Sequence, residues 1–218
     1  MLKSNTSPPS LSRYCPKCAK ARAICICEHI QPIFCQTELI LLQHPQEAKR
    51  AKGSAFILPL SLNHTHQVRV HHFVGEDFTH HAALNQLLSD ANNQHCVLYP
   101  APDSRLITDF ITDKPKGDTD VNGKPIRLII LDATWKKAYK MWQLSSNLHA
   151  MTKLHLPKSI EQQYHIRKSP SAQHLSSLEA AYHSLSLLEP NTDFTPLLVA
   201  FDAMMAAQMQ FRPVSAAN

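Results

Sequence analysis

The chain has 218 residues, of which 44% are apolar and 18% are charged, and such values are typical of one globular domain with small additions. No apolar run approaches the ~20 residues of a membrane span, and the polar start of the chain lacks the apolar core of a signal peptide, so we expect a cytoplasmic protein without membrane contact. The four glycines form neither a GxGxxG nor a GxxxxGK[ST] pattern, which excludes a Rossmann dinucleotide loop and a P-loop.

Four of the six cysteines lie close together near the start of the chain, in the spacing Cys15-x2-Cys18-x6-Cys25-x-Cys27. In a chain without a secretion signal, this density favours a metal site over disulfides. Four thiolates satisfy tetrahedral Zn2+, and a site with four protein ligands is structural because no position is left for an activated water. We therefore predict a zinc knuckle over residues 13–34, after a flexible segment 1–12. Free or redox-active thiols are the alternative.

Apolar strand-like runs alternate with helix-like stretches over residues 35–212. The predicted strands are 38–43, 68–73, 95–99, 127–131 and 153–156, and the predicted helices are 48–62, 77–92, 135–143, 175–187 and 196–211. This alternation predicts an α/β domain with a mainly parallel sheet. The polar segment 113–125 is predicted to be a surface loop, and the tail 213–218 is predicted to be flexible.

Asp132, Thr134 and Trp135 stand where the predicted strand 127–131 meets the next helix. Ligands of open α/β sheets bind beyond the carboxyl ends of the strands, so a carboxylate, a hydroxyl and an indole at this junction predict a site. A helix cap at Asp132 or Thr134, together with a core tryptophan at Trp135, is the alternative interpretation.

Two further stretches flank this junction in the sequence. One is Gln-His-Pro-Gln-Glu-Ala-Lys-Arg at 43–50, directly after a predicted strand, and the other is Tyr-His-Ile-Arg-Lys-Ser-Pro at 164–170, followed by Leu-Ser-Ser-Leu-Glu-Ala at 175–180. With Asp-Ala-Thr-Trp at 132–135 between them, they resemble the DTW-domain family, which is named for its Asp-x-Thr-Trp motif. The resemblance runs from Cys15 to Gln208. The bacterial members that resemble this chain are tRNA-uridine aminocarboxypropyltransferases.

The resemblance implies a fold and a cofactor site. DTW-domain proteins are similar to the SPOUT class, which implies a SPOUT-like, mainly parallel sheet with helices on both faces and a C-terminal knot, in addition to the zinc knuckle. In that family S-adenosylmethionine lies among three loops at the strand ends. The matching residues here are Leu98, Tyr99, Pro100, Leu131, Asp132, Trp135, Ser176, Ser177 and Glu179.

The implied reaction moves the 3-amino-3-carboxypropyl group of S-adenosylmethionine to N3 of a tRNA uridine and releases methylthioadenosine. Asp132 is the candidate base for the N3 proton, and binding the ammonium group of the cofactor is its alternative role. Thr134 would orient Asp132 or the cofactor carboxylate, and Trp135 would stack on adenine or uracil. Glu179 is a second candidate for the ammonium group, although Ser176-x-x-Glu179 also fits a capping box.

The implied partner is tRNA rather than DNA, and the net charge of +5 is compatible with an anionic partner. The candidate RNA-binding residues are His44, Arg50, Lys136, Lys137, Lys140, Arg167 and Lys168. A solvated helix face is the usual explanation for such lysines, but their position around one crevice favours contact with a phosphate backbone. Two other functions stay open at this stage: a SPOUT-type RNA methyltransferase, and a zinc-knuckle RNA-binding protein without catalysis.

Overall fold

A computed structural model of the protein describes residues 12–50, 53–65, 67–112, 124–160 and 175–210. Several sequence predictions lie outside the described residues. These are the flexible ends of the chain, most of the predicted loop 113–125, and the two basic residues Arg167 and Lys168. Among the described residues, no helix combines the length and the apolar character that a bilayer span requires.

In the described part of the chain, six parallel strands form one sheet. The strands are β1 Glu38–Gln43, β2 Val70–Val74, β3 Gln94–Leu98, β4 Arg105–Leu106, β5 Ile126–Asp132 and β6 Thr152–His155. Their order across the sheet is β2-β1-β5-β3-β6-β4, so β5 lies between β1 and β3. Because every pair of neighbouring strands is parallel, all carboxyl ends meet at one edge of the sheet, which we call the carboxyl edge.

Helices cover both faces of this sheet, as the sequence predicts. They are α1 Pro45–Ala48, α2 Ile57–Leu62, α3 Ala82–Leu88, α4 Ile107–Thr112, α5 Trp135–Leu144, α6 Ser177–Leu188 and α7 Thr195–Gln210. Side chains of β5 alternate between the two faces: Leu128 and Ile130 pack with α2, α4, α6 and α7, while Ile129 and Leu131 pack with α3 and α5. Burial on both faces explains the nearly continuous apolar run of the central strand. The C-terminal knot stays a prediction.

The predicted helix 48–62 is wrong, because α1 ends at Ala48 and α2 begins only at Ile57. Pro59 gives the physical reason. In α2 it occupies the first turn, where a missing N–H costs nothing, but in a continuous helix it would lie in the interior and break it. The helix predicted over 77–92 is also shorter, because His81 caps α3 by accepting a hydrogen bond from the Leu84 amide at 3.2 Å. The sequence did not predict β4 or α4.

Candidate functional site

Asp132 lies at the carboxyl edge and is held there from two sides. The register of β1 and β5 places Gln43 opposite Asp132, and Gln43 Nε2 donates to Asp132 Oδ2 at 2.6 Å. From the other side, Ser177 Oγ at the start of α6 donates to Asp132 Oδ1 at 2.5 Å. The carboxylate therefore bonds to neighbouring elements rather than to the amides of α5, and the interpretation of Asp132 as a helix cap is wrong.

Thr134 and Trp135 lie at the surface beside this carboxylate. Thr134 is the N-cap residue of α5, but its hydroxyl makes no capping hydrogen bond, and only its carbonyl accepts from Ala138 N at 2.8 Å. Trp135 is 48% exposed, so the alternative of a core tryptophan is wrong. One helical turn further, Tyr139 is 58% exposed. Two aromatic side chains of α5 thus face solvent, and the sequence analysis identified only the first of them.

The three stretches that match the cofactor loops meet at this edge. Leu98 ends β3, the neighbour of β5, and Leu131 precedes Asp132 at the end of β5. The third stretch reaches the same place through the hydrogen bond from Ser177 to Asp132. Tyr99 contributes a buried ring that stacks on Trp142, with centroids 4.8 Å apart. Burial, and then the neighbouring Tyr139, raise the pKa of Tyr99.

Ser176 and Glu179 form the capping box that was the alternative for this pair. Ser176 Oγ accepts from the Glu179 amide at 3.2 Å, and Glu179 Oε2 accepts from the Ser176 amide at 2.9 Å. Glu179 is buried in this arrangement. The box fixes the start of α6 and thereby the position of Ser177, so it supports the site whether or not Glu179 also contacts a ligand.

Most of the candidate RNA-binding residues have partners within the protein. Lys137 Nζ and Arg50 Nη1 pair with Glu47 at 2.9 and 3.0 Å, and Lys140 Nζ pairs with Glu76 at 3.0 Å. His44 is buried, and its ring accepts from the Gln46 amide and contacts Glu76 at 3.1 Å. A cavity of about 340 Å3 lies among these side chains.

These charges are thus largely balanced within the protein. Lys136 is exposed at the start of α5, next to Trp135. The contribution of each of these residues to RNA binding stays a prediction.

Sequence analysis missed two residues of the site, Gln43 and His72. Gln43 is only 6% exposed and bonds both to Asp132 and, through Oε1, to His72 Nε2 at 3.0 Å. Burial lowers the pKa of His72, and the nearby Asp132 partly opposes this shift. The available signal was a polar residue that ends the apolar run of β1, because a buried amide requires partners.

The four cysteines Cys15, Cys18, Cys25 and Cys27 converge as predicted. Their Sγ atoms all lie within 4.8 Å of one another, with 3.7 Å between Cys15 and Cys27 and 3.8 Å between Cys18 and Cys25. Four sulfurs that surround a tetrahedral zinc at ~2.3 Å would be ~3.8 Å apart, so the cluster is compatible with a metal site. Amides of Cys18 and Lys17 lower the pKa of Cys15 to about 6, whereas burial raises the pKa of Cys27.

The cysteine segment packs against the domain rather than standing apart. Tyr14 and Ala21 form an antiparallel bridge, and Ala19 between them has a φ of 56°, a conformation uncommon outside glycine. Ile26 and Ile33 are buried in the same core as α7. Ile26 within the cluster and Ile33 after it therefore tie the segment to the sheet domain.

Comparison with known proteins gives a consistent family. A family model described as DTW domain matches residues 12–209. The chain is 29% identical over 200 residues to tRNA-uridine aminocarboxypropyltransferase 2 of Drosophila melanogaster. The aligned region covers 89% of this chain and 74% of the fly protein. It is 27% identical to tRNA-uridine aminocarboxypropyltransferase 2 of Mus musculus over 90% of this chain. It is 28% identical to tRNA-uridine aminocarboxypropyltransferase A of Arabidopsis thaliana over 60% of this chain.

The chain spans 63% of the mouse protein and 50% of the plant protein. These three relatives are animal and plant proteins, whereas the sequence resemblance was to bacterial members of the family. No solved structure matches the chain.

Proposed function

This chain belongs to the DTW domain family, and we propose that it is a tRNA-uridine aminocarboxypropyltransferase. The three relatives described above support this activity by their names. The observation that carries the proposal is the Asp132 carboxylate, which sits at the carboxyl edge of the central strand between two neutral hydrogen-bond donors. Among the described residues, no lysine or arginine forms an ion pair with it, so its negative charge is left for a substrate.

The reaction requires an electrophilic carbon and a deprotonated uridine nitrogen. The sulfonium of S-adenosylmethionine supplies the carbon: a bond forms from uridine N3 to the aminocarboxypropyl chain, the carbon–sulfur bond breaks, and methylthioadenosine leaves as a neutral thioether. Asp132 is proposed to accept the N3 proton, because each of its oxygens accepts one hydrogen bond and retains further acceptor capacity. Thr134 is proposed to orient a polar group of the donor, and Trp135 is proposed to stack on a base.

We propose that the four-cysteine cluster binds one structural Zn2+. The spacing of the sulfurs supports this, since it matches the tetrahedral arrangement of four thiolates. Elemental analysis of the purified protein should find about one zinc per chain, and the variant Cys18→Ser should lose it. Metal-free protein in which all four thiols react freely under native conditions would contradict the assignment.

We propose tRNA as the partner and the cytoplasm as the location. The exposed aromatic rings and Lys136 beside Asp132 suit a nucleic acid with an accessible base. The six cysteines form no disulfide with one another, which is compatible with a reducing compartment. Neither DNA nor a membrane is proposed as a partner.

The activity can be tested by incubating the protein with bulk tRNA and S-adenosylmethionine labelled either in the methyl group or in the aminocarboxypropyl group. Aminocarboxypropyl label should appear in tRNA, and methyl label should leave with methylthioadenosine. Methyl label in tRNA would instead identify an RNA methyltransferase that uses the same donor. Binding of tRNA without transfer of either label would favour a non-catalytic RNA-binding protein.

A further inference from the structure

Gln43 is a buried amide whose two ends are both engaged at the proposed site. Its Nε2 donates to Asp132 Oδ2 at 2.6 Å, and its Oε1 accepts from His72 Nε2 at 3.0 Å. The parallel sheet produces this chain of contacts, because β1 lies between β5, which carries Asp132, and β2, which carries His72. Both hydrogen-bonding ends of a buried side chain are thus satisfied.

His72 and Asp132 favour the same orientation of the Gln43 amide. Since burial lowers the pKa of His72, its ring is neutral near pH 7 and carries a single N–H. With that proton on Nε2, the ring donates to Gln43 Oε1, and the amide NH2 group is left to face the carboxylate. The reversed amide would place its carbonyl oxygen against Asp132, where two acceptors would repel each other.

The carboxylate of Asp132 therefore accepts hydrogen bonds from two different elements. Gln43 on β1 holds one oxygen, and Ser177 at the start of α6 holds the other. Two hydrogen bonds to two oxygens restrict rotation about both side-chain torsions of Asp132. The direction of its remaining lone pairs is thus set before a substrate binds.

We propose that Gln43 is a positioning residue for Asp132 and that His72 influences catalysis only through Gln43. This inference rests on the aminocarboxypropyltransferase function proposed above. The hydrogen bonds from His72 to Gln43 and from Gln43 to Asp132 orient the carboxylate toward the N3 proton of the uridine. Displacing a reacting group by ~1 Å can lower the rate by ~10²-fold. Loss of these hydrogen bonds should therefore lower kcat rather than change the KM for tRNA.

Three variants test whether His72 acts on Asp132 through Gln43: Gln43→Met, His72→Phe and the double variant. Gln43→Met is expected to lower kcat by about 10- to 100-fold with little change in the KM for tRNA. His72→Phe is expected to lower kcat less than Gln43→Met does. The double variant is expected to be no slower than Gln43→Met alone, because His72 has nothing left to orient.

Two further variants keep this test specific. Gln94→Met makes the same substitution at a strand glutamine on the opposite edge of the sheet, at the start of β3, and should leave kcat unchanged. Gln43→Asn keeps the amide but is one methylene shorter, so it cannot reach both His72 and Asp132 and should also lower kcat. It carries the test if Gln43→Met does not fold, which thermal unfolding of each variant will show.

An unchanged kcat in Gln43→Met, or a full additional loss from His72→Phe in the double variant, would overturn the inference. A wild-type protein that transfers no aminocarboxypropyl group would contradict the proposed function instead. The inference is then decided by NMR spectroscopy of the His72 ring nitrogens. The Nε2–H tautomer should dominate in the wild type and give way to a mixture in Gln43→Met, and identical tautomer populations in the two proteins would overturn it.

Discussion

The two edges of the sheet both carry dense polar networks, but they balance charge in different ways. At the opposite edge, where the parallel strands begin and which we call the amino edge, Arg127 Nε donates to Glu38 at 2.6 Å, and the two charges neutralise each other. At the carboxyl edge, Asp132 is held by the neutral donors Gln43 and Ser177. The charges of the Arg127 network are balanced within the protein. The Asp132 network holds a negative charge in place but does not neutralise it. A carboxylate of the second kind is available for a proton or a cationic group of a substrate.

Cavity size alone would favour the other edge of the sheet. A cavity of about 550 Å3 is lined by Arg127, Asp90 and His71, and the cavity beside the carboxyl edge has only about 340 Å3. Arg127 is already paired with Asp90 at 3.1 Å as well as with Glu38, so the larger cavity offers no uncompensated charge from this group. The proposed site therefore rests on unbalanced charge in a fixed geometry rather than on volume.

The largest effect is expected from Asp132→Asn. This substitution keeps the shape of the side chain but removes its charge, so the fold should survive while transfer to uridine falls by ~10²–10⁴-fold, the usual contribution of a general base. The measurements are the transfer assay and thermal unfolding of both proteins. Full activity in the variant would mean that the comparison between the two edges is wrong.

Calorimetric titration of the same variant with S-adenosylmethionine separates the two roles of Asp132. If Asp132 is the base, affinity should stay near that of the wild type, because the lost step is proton removal in the transition state. If Asp132 binds the ammonium group of the donor, affinity should fall by ~1.5–3 kcal/mol, the usual contribution of a hydrogen bond to a charged group.

Arg127→Met should show the opposite pattern from Asp132→Asn. Removing the guanidinium leaves Glu38 partly buried without its nearest cation, so the free energy of unfolding should fall by about 3 kcal/mol, toward the lower end for a broken buried pair. The turnover of the folded fraction should stay unchanged. Urea unfolding and the transfer assay measure both quantities, and the exposed Arg13→Met is the control. Lost turnover in a stable variant would show that the amino edge takes part in function.

Low pH should reduce the stabilisation that Glu38 contributes at the amino edge. Hydrogen bonding from His71 and then from Arg127 lowers the pKa of Glu38 to about 2. Because the unfolded chain binds this proton first, near the ordinary glutamate pKa of ~4.3, the stabilisation is present above that pH and is lost as pH falls toward 2. Urea unfolding across this range should show the stabilities of wild type and Glu38→Gln converging toward pH 2. A constant difference between them would contradict the assignment.

The sequence was sufficient for five of the six strands but not for every helix. The long apolar runs predicted β1 and β5 to within a residue at each end, because a strand buried on both faces leaves a continuous apolar signal. The two-residue β4 is too short to leave any such signal. The break between α1 and α2 was missed because the apolar content of 48–62 was given more weight than Pro59.

The candidate site shows the same limit. Asp132 could be found from its position after an apolar strand, but the roles of Gln43 and His72 depend on which strands are neighbours in the sheet. Likewise, the lysines of α5 could be counted from the sequence, whereas their pairing with Glu47 and Glu76 joins residues 64 to 90 positions apart. Local patterns locate a site, and long-range pairing decides which of its groups are already neutralised.

The smallest predicted effect concerns Lys136, an exposed cation beside the unbalanced Asp132. Lys136→Gln should weaken tRNA binding and reduce the salt dependence of log Kd by about one unit of slope if the lysine contacts one phosphate. Lys137→Gln is the matched comparison on the same helix. It should change the slope less, because Glu47 already balances the charge of Lys137. Equal slopes for the wild type and both variants, measured by titration at several salt concentrations, would mean that this face of α5 is only solvated.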